Sequence, residues 1–414
     1  MAFQQGLSGL ASSSKAIDVV SNNVANASTV GFKSATAQFA DVYASALTGA
    51  VSTIQVGIGT TVNAVKQAFT QGNLTSTNNP LDMAINGNGF FRIERNDGTF
   101  AYTRNGQFDI DKEGYIVNAL GERLTGYQVD AATGQIGNVV APLRIPQDEA
   151  PPQATGTVNG VAITGNLDSR QTVPTVAPFD PLDIDSYNST TSLTVYDSLG
   201  NPHTLSLYMV RLAPETSRTW EIHASLDGDA PTSLGNVVFT DTGLLDPLSP
   251  ALTPFTRTAA ALNNGAADLT FPIDLSKLTQ FGSPFSITDI RQDGFSSGQV
   301  AGYSISRDGI IQGRYTNGQT RDLGQVALVT FRSPNGLVSL GNNMWAASPE
   351  SGPPVPGRPG TGLNGVISAG QVEDSNVDLT QELVQLIIQQ RNYQANAQSI
   401  RTQDQILQTL VNLR

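Results

Sequence analysis

DLTQELVQLIIQQRNYQANAQSIRTQDQILQTLV, residues 378–411, sets Leu379, Leu386, Tyr393, Ile400 and Leu407 seven apart, with Leu383, Ala397 and Val411 at the intervening positions. Apolar side chains at that spacing predict a long helix that packs along a coiled-coil-like seam. Asp378 stands where the N-cap belongs, with Gln381 three residues on. The other end of the chain answers it. In QQGLSGLASSSKAIDVVSNNVANA, residues 4–27, Leu7, Leu10, Ser14, Ile17, Val20, Val24 and Ala27 recur three or four apart, and Thr29-Val30-Gly31 then stops the helix. At 1.5 Å per residue the helices would be roughly 36 Å and 50 Å long, and neither can bury its stripe alone.

Their remaining faces are polar but nearly uncharged. Lys15 and Asp18 are the only charges before Lys33, and Gln and Asn dominate the closing segment. A solvated helix face normally carries Lys and Glu pairs. These helices are therefore expected to pack against other copies of the chain or to line an aqueous lumen. A hairpin formed by the two termini of one chain is the competing arrangement. Gln390 and Asp404 on the seam would weaken such a hairpin standing alone.

The chain has 414 residues, enough for two to four domains. Gly 40 and Pro 22, with 39% hydrophobic and 14% charged residues, describe a turn-rich β protein. The net charge is −12, which argues against nucleic acid and anionic membrane as partners. That charge is localised: residues 146–284 carry 15 acidic and 5 basic side chains. There is no cysteine, so disulfides, thiol catalysis and Cys-ligated metals are excluded. No apolar run approaches 18 residues and no basic, then apolar, leader opens the chain, so neither membrane insertion nor a cleaved signal peptide is expected.

Residues 33–81 show no sustained period and stay unassigned. From Leu81 short alternating runs follow one another between turn dipeptides such as Asn105-Gly106 and Glu113-Gly114, which reads as a β-meander. A second β set spans 302–340, with turns at Asp308-Gly309, Asn317-Gly318 and Asn335-Gly336. The acidic, Pro-rich segment between them has strands of its own. The expected fold is mainly β with terminal α-helices, a nested multi-domain rod-like subunit. It divides into a helical inner domain (1–28 plus 376–414), a connector (29–80 plus 351–375), a discontinuous β domain (81–145 plus 285–350) and an inserted outer β domain (146–284).

Nothing in the chain assembles a catalytic set. Gly294-Phe295-Ser296-Ser297-Gly298 matches G-x-S-x-G, but the only histidines, His203 and His223, both precede it, contrary to the hydrolase order. Asp109, Asp111, Glu113 and Gly114 imitate half of a calcium loop whose twelfth position would be Leu120, which cannot ligate. Asp180, Asp183 and Asp185 read as acidic surface. No cofactor, no metal and no enzymatic activity are expected; a secreted hydrolase or adhesin would require a complete catalytic set or a signal peptide.

Two motifs carry a resemblance. Residues 6–10 (GLSGL), 21–27 (SNNVANA, holding Asn22, Asn23 and Asn26) and Val30-Gly31-Phe32-Lys33 closely resemble the opening of the bacterial flagellar axial proteins, which build rod, hook and hook-associated structures. Asn376 and Asp378, followed by Gln390-Arg391-Asn392-Tyr393-Gln394-Ala395-Asn396-Ala397, resemble their C-terminal motif. Residues 81–91, 102–106 and 324–328 look like the shared β domain. The length and the large insert are similar to hook-forming members rather than to the shorter distal rod proteins. The resemblance implies a non-enzymatic, extracellular subunit, exported by the flagellar type III apparatus without signal cleavage. Its partners would be itself, as a helical homopolymer, and the hook cap, distal rod and hook–filament junction proteins. Leu7, Leu10, Ile17, Val20, Val24, Leu379, Leu383, Leu386, Tyr393, Ala397, Ile400, Leu407 and Val411 would then be subunit interface.

Overall fold

The computed structural model describes residues 2–42, 57–130, 134–146 and 149–412. Three α-helices are present among them: α1 (Ala2–Ala25), the single turn α2 (Ala259–Leu262) and α3 (Leu379–Asn412). Asp378 caps α3 as its sequence position implies, its Oδ1 accepting from the Thr380 and Gln381 amides at 2.9 and 3.2 Å. α1 begins and ends two residues earlier than its apolar period suggests. Its last carbonyls are taken up by a turn in which the Asn26 amide donates to Asn22 O and the Thr29 amide to Asn26 O.

The two long helices pack antiparallel on each other within one chain. The seam differs from the one read in the sequence. α1 turns its small residues toward α3: a Cβ on Gly6 would stand 2.9 Å from Ile400 Cγ1, and one on Gly9 2.9 Å from the Asn396 amide. Ser13 and Ala16 are buried on the same side, and Asn23 Nδ2 donates to Glu382 Oε1 at 3.1 Å. On α3 the less exposed row is Glu382, Leu386, Gln389, Asn396, Ile400 and Gln403. Leu386 and Ile400 of the heptad stripe thus lie in this row, and Leu379, Leu383, Tyr393 and Leu407 are exposed beside it. The physical reason is distance of approach: glycine, serine and alanine let two backbones come close, and leucines on both helices would hold them apart.

Contact within the chain defines two compact units, and α1 and α3 belong to the first, residues 1–147, 302–314 and 320–414. The unassigned stretch after α1 contains an antiparallel hairpin, β1 (Ala35–Val42) with β2 (Gly59–Gln67). Beyond it the unit holds a 13-stranded sheet whose main path runs through the strands at Phe90–Glu94, Phe100–Thr103, Arg123–Val129 and Thr320–Val326. One core gathers Met83, Phe91, Ile93, Leu124, Val326 and Leu328. A second, aromatic one packs Phe90, Tyr102, Phe331 and Trp345 edge-on. The returning chain closes the nest: Val366–Ala369 pairs with Met83–Asn86, and Gln371–Glu373 with Leu74–Ser76.

The second unit comprises residues 148–301 and 315–319. A meander of four antiparallel strands (Ser189–Tyr196, Pro202–Arg211, Thr219–Leu226, Thr232–Val238) accompanies a three-stranded sheet centred on Val161–Asp168. They share one apolar core that includes Leu205, Trp220, Ile222, Phe239 and Phe271. The insert therefore extends past Pro284, where the sequence reading ended it. Ser286–Gln292 pairs antiparallel with Val161–Asp168, so its backbone is satisfied inside this unit and not in the first.

Candidate assembly surface and its anchoring junction

Where α1 meets the β structure, the residues of the sequence motif converge on one buried ion cluster. Lys33 and Glu373 have fully buried side chains, with Nζ to Oε1 at 2.5 Å. Arg104 NH1 reaches Glu373 Oε2 at 3.2 Å, and its NH2 donates to Gly87 O at 3.0 Å. Lys33 Nζ also donates to Thr70 O at 2.7 Å, and the Gly72 amide donates to Glu373 Oε1 at 2.9 Å. Burial pulls the Lys33 ammonium below the usual lysine range, only partly offset by the Glu373 charge, and it acts on Arg104 in the same direction.

Around this cluster the motif side chains act as backbone mimics. Asn23 holds Ala35 on both sides, Oδ1 accepting from its amide at 2.9 Å and Nδ2 donating to its carbonyl at 2.8 Å, which ties the last turn of α1 to the start of β1. Asn26 Nδ2 donates to Asn22 O at 2.9 Å. Asn376 does the same work on the returning chain, accepting from the Ser34 amide at 2.7 Å and donating to Ala68 O at 2.7 Å. Gly31 has φ +71, its amide donates to Glu373 O at 2.7 Å, and a Cβ there would lie 2.6 Å from the Asn105 backbone nitrogen. Only glycine fits. Phe32 is buried beside it. Gln390 and Arg391, named with the same motif, are exposed on α3 and take no part in the junction. Glu373, the residue on which both cations converge, was missed in the sequence reading; nothing in the period around it marks it. Arg104 had a signal, its place in the 102–106 motif.

Leu386 and Ile400 of the apolar stripes lie in the seam, and most of the others lie beside it. At about 100° per residue, Leu7, Leu10, Ile17 and Val24 flank the small-residue row of α1, while Leu379, Leu383, Tyr393 and Ala397 flank the inner row of α3. Because the helices are antiparallel, the two flanks fall on the same side of the pair. The other side is held by the β1–β2 hairpin, through Gln5 Nε2 to Gly57 O at 2.6 Å and Ser12 Oγ with Thr60 Oγ1 at 2.6 Å. Leu7 is 54% exposed, Leu379 47%, Leu383 43%, Tyr393 38% and Leu407 54%. Leu10, Ile17, Val20, Val24, Leu386, Ala397 and Ile400 are half-buried. The side chain of Val411 lies outside the described residues. Both helices thus present one continuous apolar face.

The catalytic look-alikes resolve into turns. Asp111 Oδ1 accepts from the Glu113 and Tyr115 amides, closing a hairpin, and Asp180 and Asp183 cap a short 3-10 turn through Leu182 and Asp185. Phe295 pairs with Gln153 in extended backbone, so Ser296 does not stand on a strand-to-helix elbow. His203 Nδ1 lies 2.6 Å from Asp227 Oδ2, and His223 stacks on Phe179 at 4.3 Å. Among the described residues no helix is long and apolar enough to cross a membrane.

Family comparisons cover the same parts. Residues 3–33 match the flagella basal body rod protein model and 368–413 the flagellar basal body rod FlgEFG C-terminal model. Residues 84–165 match the flagellar hook protein FlgE/F/G D1 domain, and 166–295 the flagellar basal body protein FlaE D2 domain. The flagellar hook protein FlgE of Escherichia coli (strain K12) is 40% identical over the full length of both chains. The chain belongs to the flagellar hook protein FlgE family. The FlgE of Salmonella typhimurium is likewise 40% identical over all of both chains, and that of Borreliella burgdorferi 31% identical over 99% of this chain and 98% of its own. The crystal structure of Helicobacter pylori flagellar hook protein FlgE2 is similar in fold, with a TM-score of 0.52 at 16% identity over 71% of this chain and 98% of that one. This is a family of structural hook proteins, and the chain is a structural hook subunit.

Proposed function

We propose that this hook-family chain polymerises into a curved, flexible, extracellular tube that joins rod to filament, transmits torque while bending, and leaves an axial channel for export. The observation that carries this reading is the apolar face shared by α1 and α3, exposed on a helix pair that the buried Lys33–Glu373–Arg104 cluster anchors to the β structure. Exposed apolar side chains gathered on one face of a charge-poor helix pair mark a surface for another protein to cover. The remainder of α3 mixes Gln, Asn and Thr with the exposed Val384, Ile387, Ile388 and Ile406, and its few charges suit a wet lumen that does not retain a passing chain. The subunit is non-enzymatic, binds no cofactor, and leaves the cell through the flagellar type III apparatus with its N-terminus uncleaved. The hook cap, the distal rod and the hook–filament junction proteins meet the two ends of the polymer. Electron microscopy of the purified chain, polymerised in vitro, tests this: curved tubes with an axial channel are expected. Straight rods would point to a rod protein, and the absence of any polymer would overturn the reading.

A further inference from the structure

The helix pair is a slab with two different sides. One carries the apolar face of Leu7, Leu10, Leu379, Leu383 and Tyr393. On the hairpin side lies a groove of about 540 Å³ between α1, the β1–β2 hairpin and the strand Val338–Gly341. Val19, Ala37, Val62, Val65, Phe69 and Leu337 line it. Val65 is 53% exposed, and Val338 next to the groove is also 53% exposed. The α1 residues on the groove, Lys15, Asp18 and Asn22, sit on the far side of that helix from Leu10, Ile17 and Val24.

We propose that the apolar face shared by α1 and α3 of one copy packs into the hairpin-side groove of the next copy, head to tail. The inference rests on the polymerisation reading above and names the surfaces that perform it. Three observations select a second copy as the occupant. Face and groove lie on opposite sides of the same slab, so one chain cannot satisfy both by itself. Two like faces packed together would close a two-fold dimer and leave both grooves empty, whereas face against groove fills both surfaces and repeats without closing, as an open helical assembly requires. The charges also agree. No charged residue stands in the row Leu7, Leu10, Ile17 and Val24 of α1 or Leu379, Leu383, Tyr393 and Ala397 of α3, and the exposed Lys15 and Asp18 of the groove lie 3.4 Å apart, so the contact leaves no charge without a partner.

The chain has no cysteine, which makes the test direct. Full-length Leu383→Cys and Val65→Cys chains are mixed in equal amounts, polymerised and treated with a short flexible bismaleimide. Covalent dimers on denaturing gels are expected from the mixed tubes. None are expected from tubes of either variant alone, nor from the dilute unpolymerised mixture. Dimers in tubes of Leu383→Cys alone would show like faces in contact and overturn the proposal. Mixed tubes without dimers would overturn it as well, and Leu7→Cys in place of Leu383→Cys repeats the experiment from the other helix. If the unsubstituted chain forms no tube, it is the polymerisation reading that fails, and the two failures are thereby separated.

Discussion

Lys33, Arg104 and Glu373 place two cations and one carboxylate where almost no water reaches them. Their individual losses are therefore unequal. Glu373→Ala leaves two like charges buried without a counter-ion, the situation that costs about 3–5 kcal/mol when a buried pair is broken. Lys33→Met leaves Arg104 to neutralise Glu373 and keeps most of the packed volume, so a smaller loss of about 1–2 kcal/mol is expected, chiefly the donor lost to Glu373 Oε1 and, in part, to Thr70 O, which still accepts from Asn376. Trp345 reports on this unit, since its buried indole donates to Gln67 Oε1 at 2.7 Å. Urea unfolding followed by Trp345 emission, in a Trp220→Phe background, should rank Glu373→Ala well below Lys33→Met. Equal midpoints for the two variants would mean that Arg104 carries no share of the pairing.

At the scale of elements, the pairing of α1 with α3 depends on what is missing from α1. Gly9→Leu drives a branched side chain into the space held by the Asn396 amide, 2.9 Å from where a Cβ would begin. Overpacking of that kind costs about 1–3 kcal/mol, more than the helix propensity gained by removing a glycine. Circular dichroism at the helix minimum should show the helix pair melting at lower temperature in Gly9→Leu, and an unchanged or raised melting temperature would refute the small-residue seam. The same case shows how far the sequence was legible. Heptads at Leu379, Leu386, Tyr393 and Ile400 located the helix and its apolar side correctly, because periodicity reports which side chains avoid water. Periodicity does not report what covers them: Leu386 and Ile400 turn toward the small residues Gly6, Gly9, Ser13 and Ala16 of α1, whereas Leu379, Leu383 and Tyr393 are left exposed. The β1–β2 hairpin was illegible for a related reason: Asn23, Ser12 and Gln5 supply hydrogen bonds to it from α1, and no local alternation records a partner that distant. At the junction the motif residues Asn23, Gly31 and Asn376 each serve a backbone geometry that few other residues satisfy, and Lys33 meets the buried Glu373 carboxylate.

The whole molecule joins an anchored helix pair to an insert that has its own core and holds most of the chain's negative charge. The chain enters and leaves that insert through neighbouring backbone: Ala150 and Gly298 exchange both hydrogen bonds, the Ala150 amide donating to Gly298 O at 2.8 Å. Residues 151–297 can therefore be removed and the ends joined by a short glycine linker with little loop-closure cost. Nothing in the apolar face, the groove or the Lys33–Glu373–Arg104 cluster is lost in such a chain. It is expected to polymerise, since the surfaces proposed to drive growth remain. We propose that neighbouring inserts of like charge meet in the full-length polymer through small, hydrated contacts, which slide at less cost than apolar ones. Taking them away removes the contacts that differ between the inner and outer side of a bend, so tubes of the deleted chain should be straight in electron micrographs where full-length tubes curve. Curved tubes from the deleted chain would move the origin of curvature to the helices and the first unit. A deleted chain that folds but does not polymerise would make the insert part of the driving interface.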